Sequence, residues 1–166
     1  VTLYAAENAL TIEGLDRRGS VVGSFPVTVT VTGPPPLPVI TFNEWMADND
    51  GAGGLVDPAD GRAEDWFELH NGGATPVDLG GFRLTDDPSA PAPFIIPAGT
   101  VVPSGGRLLI WADGEPEQNG LTPGQLHTPF RLNAGGESLR LMTSGGTIID
   151  SASTVDTDLA FVNKGF

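Results

Sequence analysis

The chain has 166 residues, a formal net charge of −13, 23 glycines, 15 prolines and no cysteine. The missing cysteines exclude disulfides and thiolate metal sites, while the charge repels phosphate backbones and anionic membranes and favours cations. At 39% of the chain, hydrophobic residues suffice for a core, and no apolar run approaches the ~18 residues of a spanning helix.

In chain order, Ala9-Leu10-Thr11-Ile12-Glu13-Gly14-Leu15 alternates apolar and polar with period two, which predicts a strand. Asp16-Arg17-Arg18-Gly19 reads as a turn, with Asp first to cap it and Gly last to take φ > 0. Val21-Val22 restarts the strand, and Phe25 to Thr32 alternates strictly with β-branched residues. A hairpin of this size cannot bury a core alone. Residues 33–38, Gly-Pro-Pro-Pro-Leu-Pro, form a stiff polyproline-like linker and a module boundary. The chain opens at Val1 without a Met, so residues 1–32 are expected to be the closing hairpin of a module that has been cut through.

From Val39 onward the apolar runs are short and regularly punctuated. Val39–Met46 and Asp65–Asn71 read as strands on either side of a long acidic, Gly-rich loop, Ala47–Glu64. Val77–Leu79, Phe82–Thr85, Phe94–Ile96 and Val101–Val102 are shorter strands. Arg107–Ala112 is continuously apolar after its first residue, as a central buried strand should be. Phe130–Leu132, Ser138–Met142 and Thr147–Ser151 follow, the last two joined by a Ser144-Gly145-Gly146 turn, and Leu159–Val162 is a further edge strand. No segment holds a helical period for three turns. The expected fold is all-β: an immunoglobulin-like β-sandwich over residues 39–166, preceded by the hairpin arm.

Several ordered motifs carry a resemblance. They are Asn43-Glu44-Trp45-Met46, then Asp65-Trp66-Phe67-Glu68-Leu69-His70-Asn71, then Val77 through the Gly80-Gly81 bend to Asp86-Asp87. Ile96-Pro97-Ala98-Gly99-Thr100, Pro103-Ser104-Gly105-Gly106, Leu109–Asp113, Gly135–Leu139 and Gly146–Ser151 complete the series. In this order, residues 39 to about 153 resemble the lamin tail domain in its bacterial form, an Ig-like β-sandwich. Residues 1–32 resemble the last two strands of a bacterial Ig-like repeat. The resemblance implies an accessory module of a large secreted or surface protein, beside hydrolases or adhesive repeats. The tail after Thr154 departs from the family's usual Gly-Arg-x-Pro-Asp-Gly ending.

The acidic loop is the one unusual chemical feature. Asp48, Asp50, Asp57, Asp60, Glu64 and Asp65 crowd a short span, with Glu44 and Glu68 on the flanking strands. Hard cations take six to eight oxygen ligands, and glycines let loop carbonyls turn inward. The expected Ca2+ ligands are Asp48, Asp50, Asp57, Asp60, Asp65 and Glu44, against the alternative of a solvated acidic loop. Asp48-Asn49-Asp50-Gly51 opens like an EF-hand loop but lacks its later ligands. Asp57–Gly61 reads equally as an Asx-capped turn, and Asp86-Asp87 before Pro88 as turn initiation. His70 and His127, the only histidines, would have to meet to make a transition-metal site.

Catalytic motifs are missing. There is no Gly-x-Ser-x-Gly elbow, no phosphate loop, and a single lysine, Lys164. The chain is therefore read as a non-catalytic interaction or structural module, extracellular or at a cell surface. The alternatives are a Ca2+-dependent protein- or glycan-binding module and a domain that positions a neighbouring hydrolase. Expected partners are protein or glycan, with no nucleic acid and no membrane insertion. An unpaired arm strand such as Val27–Thr32 also makes a homodimer possible.

Overall fold

The computed structural model describes residues 6–31, 36–49, 54–89, 93–121, 124–136 and 138–153. The expected strand at Leu159–Val162 and the Asp50 ligand lie outside these. The chain divides into two compact units, Val1–Leu37 and Pro38–Phe166.

The first unit is a hairpin. Strands β1 (Ala6–Leu15) and β2 (Val21–Val31) pair antiparallel from Ala6↔Val31 to Leu15↔Val21, with a register shift at Gly14/Leu15. The turn is built as its residues suggest. Gly19 N–H donates to the Asp16 carbonyl at 3.0 Å, the Asp16 carboxylate accepts from the N–H groups of Arg18 and Ser20, and Gly19 sits at φ +82°. Ile12, Leu15, Val22 and Phe25 are all exposed, so the unit has no core of its own.

The second unit is a sandwich of two four-stranded sheets. The first has the order β10 (Gln125–His127), β9 (Arg107–Trp111), β4 (Trp66–Asn71), β3 (Ile40–Met46). The second has the order β12 (Ile148–Ser153), β11 (Ser138–Met142), β6 (Arg83–Thr85), β7 (Phe94–Ile95). A two-stranded piece, β5 (Val77–Asp78) with β8 (Val101–Val102), joins them. Pairing is antiparallel throughout except β10, which runs parallel to β9. The described residues include one short 3-10 turn, Pro116–Gln118.

Period two decides which side chains meet between the sheets. Phe67 and Leu69 on β4, Leu108 and Ile110 on β9, Leu84 on β6, and Leu139 and Leu141 on β11 join one buried cluster. Glu68, His70 and Arg140 on the same strands are half-buried on the outer faces. Phe67 packs between Phe42 and Phe130, with ring centroids 5.7 and 6.3 Å away. On β3 a register shift falls between Phe42 and Glu44. Strict alternation from Ile40 and Phe42 would put Glu44 in the core and Trp45 outside. The extra residue, Asn43, reverses that phase: Trp45 is buried in the core and Glu44 is only half-buried. The outer face keeps a smaller apolar patch of Met46, Trp66 and Trp111.

The edges and corners of the sandwich are closed by specific polar groups. β3 is the outermost strand of its sheet, and its Phe42 N–H donates to Asp150 on β12 at 2.8 Å. At the Gly80-Gly81 bend, Gly81 takes φ +83°, and a side chain on Gly80 would lie 3.0 Å from the Ala98 backbone. Asn71 ends β4 fully buried. Its amide donates to the carbonyls of Thr75 (2.9 Å) and Val102 (3.0 Å), and its oxygen accepts from Gly73 N–H (2.9 Å).

Removing that amide would leave the buried Val102 carbonyl, the Thr75 carbonyl and the Gly73 N–H without this partner. Asn71→Ala is expected to lower unfolding free energy in urea by about 2–4 kcal/mol, whereas His70→Ala next to it should change it by less than about 0.5 kcal/mol.

Candidate metal centre

β4 and β9 run antiparallel, with Trp66 opposite Trp111. Residues just before β4 and just after β9 therefore share one end of the sandwich. Ala112 N–H donates to the Asp65 carbonyl at 2.8 Å and locks the two chains there. β10 lies along the other side of β9, with His127 opposite Trp111. Three segments distant in sequence, 54–65, 112–119 and 125–131, thus converge at this end.

Each segment is shaped by side chains bonding to backbone. Asp57 Oδ1 accepts from Ala59 N–H, Asp57 N–H donates to the Arg62 carbonyl, and Asp60 Oδ1 accepts from Arg62 N–H. These bonds wind residues 57–62 into a tight turn. In the second segment Asp113 Oδ1 accepts from Glu115 N–H at 2.9 Å. Asn119 clamps the second segment to the third: its amide donates to the His127 carbonyl (2.7 Å) and its oxygen accepts from His127 N–H (2.9 Å).

The result is a cluster of carboxylates in three overlapping groups: Asp57, Asp60 and Glu64; Asp57, Asp113 and His127; and Glu64, Asp113 and Glu115. Within each group, one ligand atom per residue lies within 4.8 Å of the others. Asp57 and Asp113 are fully buried, and Glu64 is 7% exposed. The His127 ring is sealed beneath them, with Nδ1 2.6 Å from Asp113 Oδ2 and 3.7 Å from Asp57 Oδ2. Two exposed guanidinium groups reach the rim. Arg62 lies 3.3 Å from Asp60 and 3.1 Å from Glu115, and Arg131 lies 3.8 Å from Glu64. Buried Asp57 Oδ2 and Glu64 Oε2 accept no hydrogen bond among the described residues.

Burial pushes the Glu64 carboxyl up to about 7, and the charges of Asp113, Glu115 and Asp60 push the same way against Arg131. Burial also raises Asp65, against the N–H groups of Asn49 and Asp48 that bond to it.

The expected ligands are placed as follows. Asp57 and Asp60 enter the cluster. Asp65 turns aside: its carboxylate accepts from Asn49 N–H at 3.0 Å and shapes the start of the acidic loop. Asp48, at φ +65°, lines a neighbouring depression with Asn49, Asp65 and Arg131, whose wall includes Glu64. Glu44 stands on β3 opposite Glu68, and Glu68 bonds Asn43 and pairs with Arg107 at 3.0 Å. Asp87 serves its turn, accepting from both the N–H and the hydroxyl of Ser89, which holds its carboxyl below the usual carboxylate range. His70, on β4 opposite Arg107, does not meet His127, which lies on β10 opposite Trp111 of β9. Asp113, Glu115 and His127 were not among the expected ligands. The available signal was that Asp113-Gly114-Glu115 directly follows the central apolar strand, so an antiparallel neighbour starting at Asp65 must begin beside it.

Two sheets, a shared core and the strand-end loops define an Ig-like β-sandwich. The sequence model of the Lamin Tail Domain matches residues 34–156, most of the chain, and the chain belongs to that family, one of non-catalytic Ig-like interaction domains. A comparison with curated proteins found no match.

A pH dependence follows from Glu64. Folding raises its pKa, so between about 4.5 and about 7 the folded protein holds a proton that the unfolded chain has released. In chelator, the contribution of Glu64 to stability should be full below this window, fall as pH rises through it by at most about 1.4 kcal/mol per pH unit, and level off above. Glu64→Gln should flatten that slope in urea unfolding curves taken from pH 4 to pH 8, all about one unit apart.

Proposed function

We propose that this domain is a non-catalytic interaction module of a larger secreted or cell-surface protein, presenting its outer faces and strand-end loops to a protein or glycan. The observation that carries this reading is the burial of the hydrogen-bonded His127–Asp113 pair. A general acid or base must come within hydrogen-bond reach of the proton it moves. The side chains of His127 and Asp113 are 1% and 0% exposed, and the imidazole meets only carboxylates at Nδ1. The pair braces loops and does not face a cleft.

The loops themselves suit presentation. Asn119, Asp57, Asp60, Asp65 and Asp87 each tie loop backbone through hydrogen bonds, so a partner would meet a surface already shaped, with little ordering entropy to lose. The placement outside the cell rests on the family resemblance and on the polar, lysine-poor composition.

The test has two arms. The purified chain, with or without divalent cations, should not turn over chromogenic phosphate-ester, carboxyl-ester or glycoside substrates. A fluorescent fusion of the chain should bind saturably to one class among immobilised polysaccharides and extracellular proteins. Turnover that disappears in His127→Gln would overturn the reading.

A further inference from the structure

We propose that Asp57, Glu64 and Asp113, with Asp60 and Glu115 around them, form a binding site for one Ca2+ ion at this end of the sandwich. The inference is independent of the interaction role argued above.

The first support is the pair of unpartnered oxygens. A buried carboxylate oxygen without a donor carries a desolvation cost that folding ordinarily avoids. Asp57 Oδ2 and Glu64 Oε2 both stand in that position, on residues that share one group of close ligand atoms with Asp60. The other Asp57 oxygen is already used by the turn. The Asx turn and the open ligand position therefore belong to the same side chain.

The second support is scale. Ca2+ holds oxygens at about 2.3–2.6 Å, so two ligands on opposite sides of one ion stand about 4.6–5.2 Å apart. In the two all-carboxylate groups, which share Glu64, the ligand atoms lie within 4.8 Å of one another, the spacing that oxygens around one such ion would have.

The third is charge. Five carboxylates, Asp57, Asp60, Glu64, Asp113 and Glu115, face two guanidinium groups, Arg62 and Arg131. Both guanidiniums are more than 60% exposed and sit at the rim. The sum is −3 with a neutral imidazole and −2 with an imidazolium, which a divalent cation offsets from inside.

The donor set selects the ion. The open ligands of the two all-carboxylate groups are hard oxygens, which suit Ca2+ over softer metals. His127 Nδ1 is engaged by Asp113, and its Nε2 is buried without a hydrogen-bond partner among the described residues. The imidazole thus acts as a positioning residue that orients Asp113, as outer partners of metal ligands do.

Calorimetric titration of the EGTA-stripped chain with CaCl2, beside thermal unfolding, tests this. One ion per chain is expected, with Kd at or below about 1 mM and a Tm that rises with Ca2+ concentration. Glu64→Gln and Asp57→Asn should each weaken binding at least about tenfold by removing a charged ligand. Asp57→Asn also alters its turn, so the outer double variant Asp60→Asn/Glu115→Gln, which keeps Asp57, Glu64 and Asp113 intact, should weaken binding without lowering the metal-free Tm. Asp48→Asn should leave Kd within about twofold, since its carboxylate lies outside the groups. The proposal fails if the wild-type chain shows neither heat nor Tm change in about 10 mM Ca2+. It fails equally if Glu64→Gln and the outer double variant bind as the wild type does, or if the chain ignores Ca2+ but binds Zn2+ through His127, as loss in His127→Gln would show.

Discussion

The second unit depends on the two-sided anchoring of β4. Phe67 and Leu69 supply the centre of the core, and the strand pairs with β3 on one edge and β9 on the other. Both of its ends are held by polar bonds. Asn71 closes one end through three bonds to turn and strand backbone. The Asp65 carbonyl, bonded to Ala112 N–H, closes the other. A one-residue slip of β4 would exchange Phe67 and Leu69 for Glu68 and His70 in the core, and would also break both end closures. Register, core and loop placement are thus set together, and the carboxylate cluster takes its position from the same strand.

The alternating strands were legible because period two needs only neighbouring residues. Phe67, Leu69, Leu139 and Leu141 fall inward as their spacing predicts. The bulge on β3 was not legible. Asn43 reads as one more step in a regular pattern, and only the demand to bury Trp45 and expose Glu44 turns it into an extra residue. The parallel pairing of β10 was equally hidden. Gln125-Leu126-His127 is a short segment in a polar loop, and it becomes a strand because β9 offers a free edge and Asn119 bonds His127 on both sides of its peptide. These are tertiary decisions, carried by residues that carry little local signal of their own.

The acidic site divides along the same line. Composition points to the Ala47–Glu64 loop, and Asp57, Asp60 and Glu64 are found there. The other half comes from Asp113 and Glu115, about fifty residues further on, delivered by the antiparallel return of β9. Asp65 and Asp48 sit in the same acidic run but go elsewhere, because Asp65 is needed to bond the backbone at Asn49. An oxygen that accepts from a turn N–H has one lone pair fewer for an ion, whereas Asp57 Oδ2 and Glu64 Oε2 are still open. Counting acidic residues along the chain cannot separate these two uses; the partners of each oxygen can.

His127 shows why the cluster sits at a structural cost. A buried imidazole hydrogen-bonded to one carboxylate and close to a second holds both in a small volume where mutual repulsion is weakly screened. At the same end, burial first and then the charges of Asp113, Glu115 and Asp60 raise the Glu64 carboxyl to about 7. Near neutral pH the folded state then carries either a proton on Glu64 or a buried charge that the exposed Arg131 only partly offsets. An apolar residue at Asp57 or Glu64 would remove the burden, yet the turn needs only Asp57 Oδ1, and Glu64 Oε2 has no hydrogen-bond partner among the described residues. The fold's own requirements therefore account for Asp57 as a turn former and for Asp113 as the partner of His127 and Glu115 N–H. They do not account for Glu64. That residue is where the energetics of the fold and the chemistry of the site part company, and it is the residue on which an ion would have the largest effect.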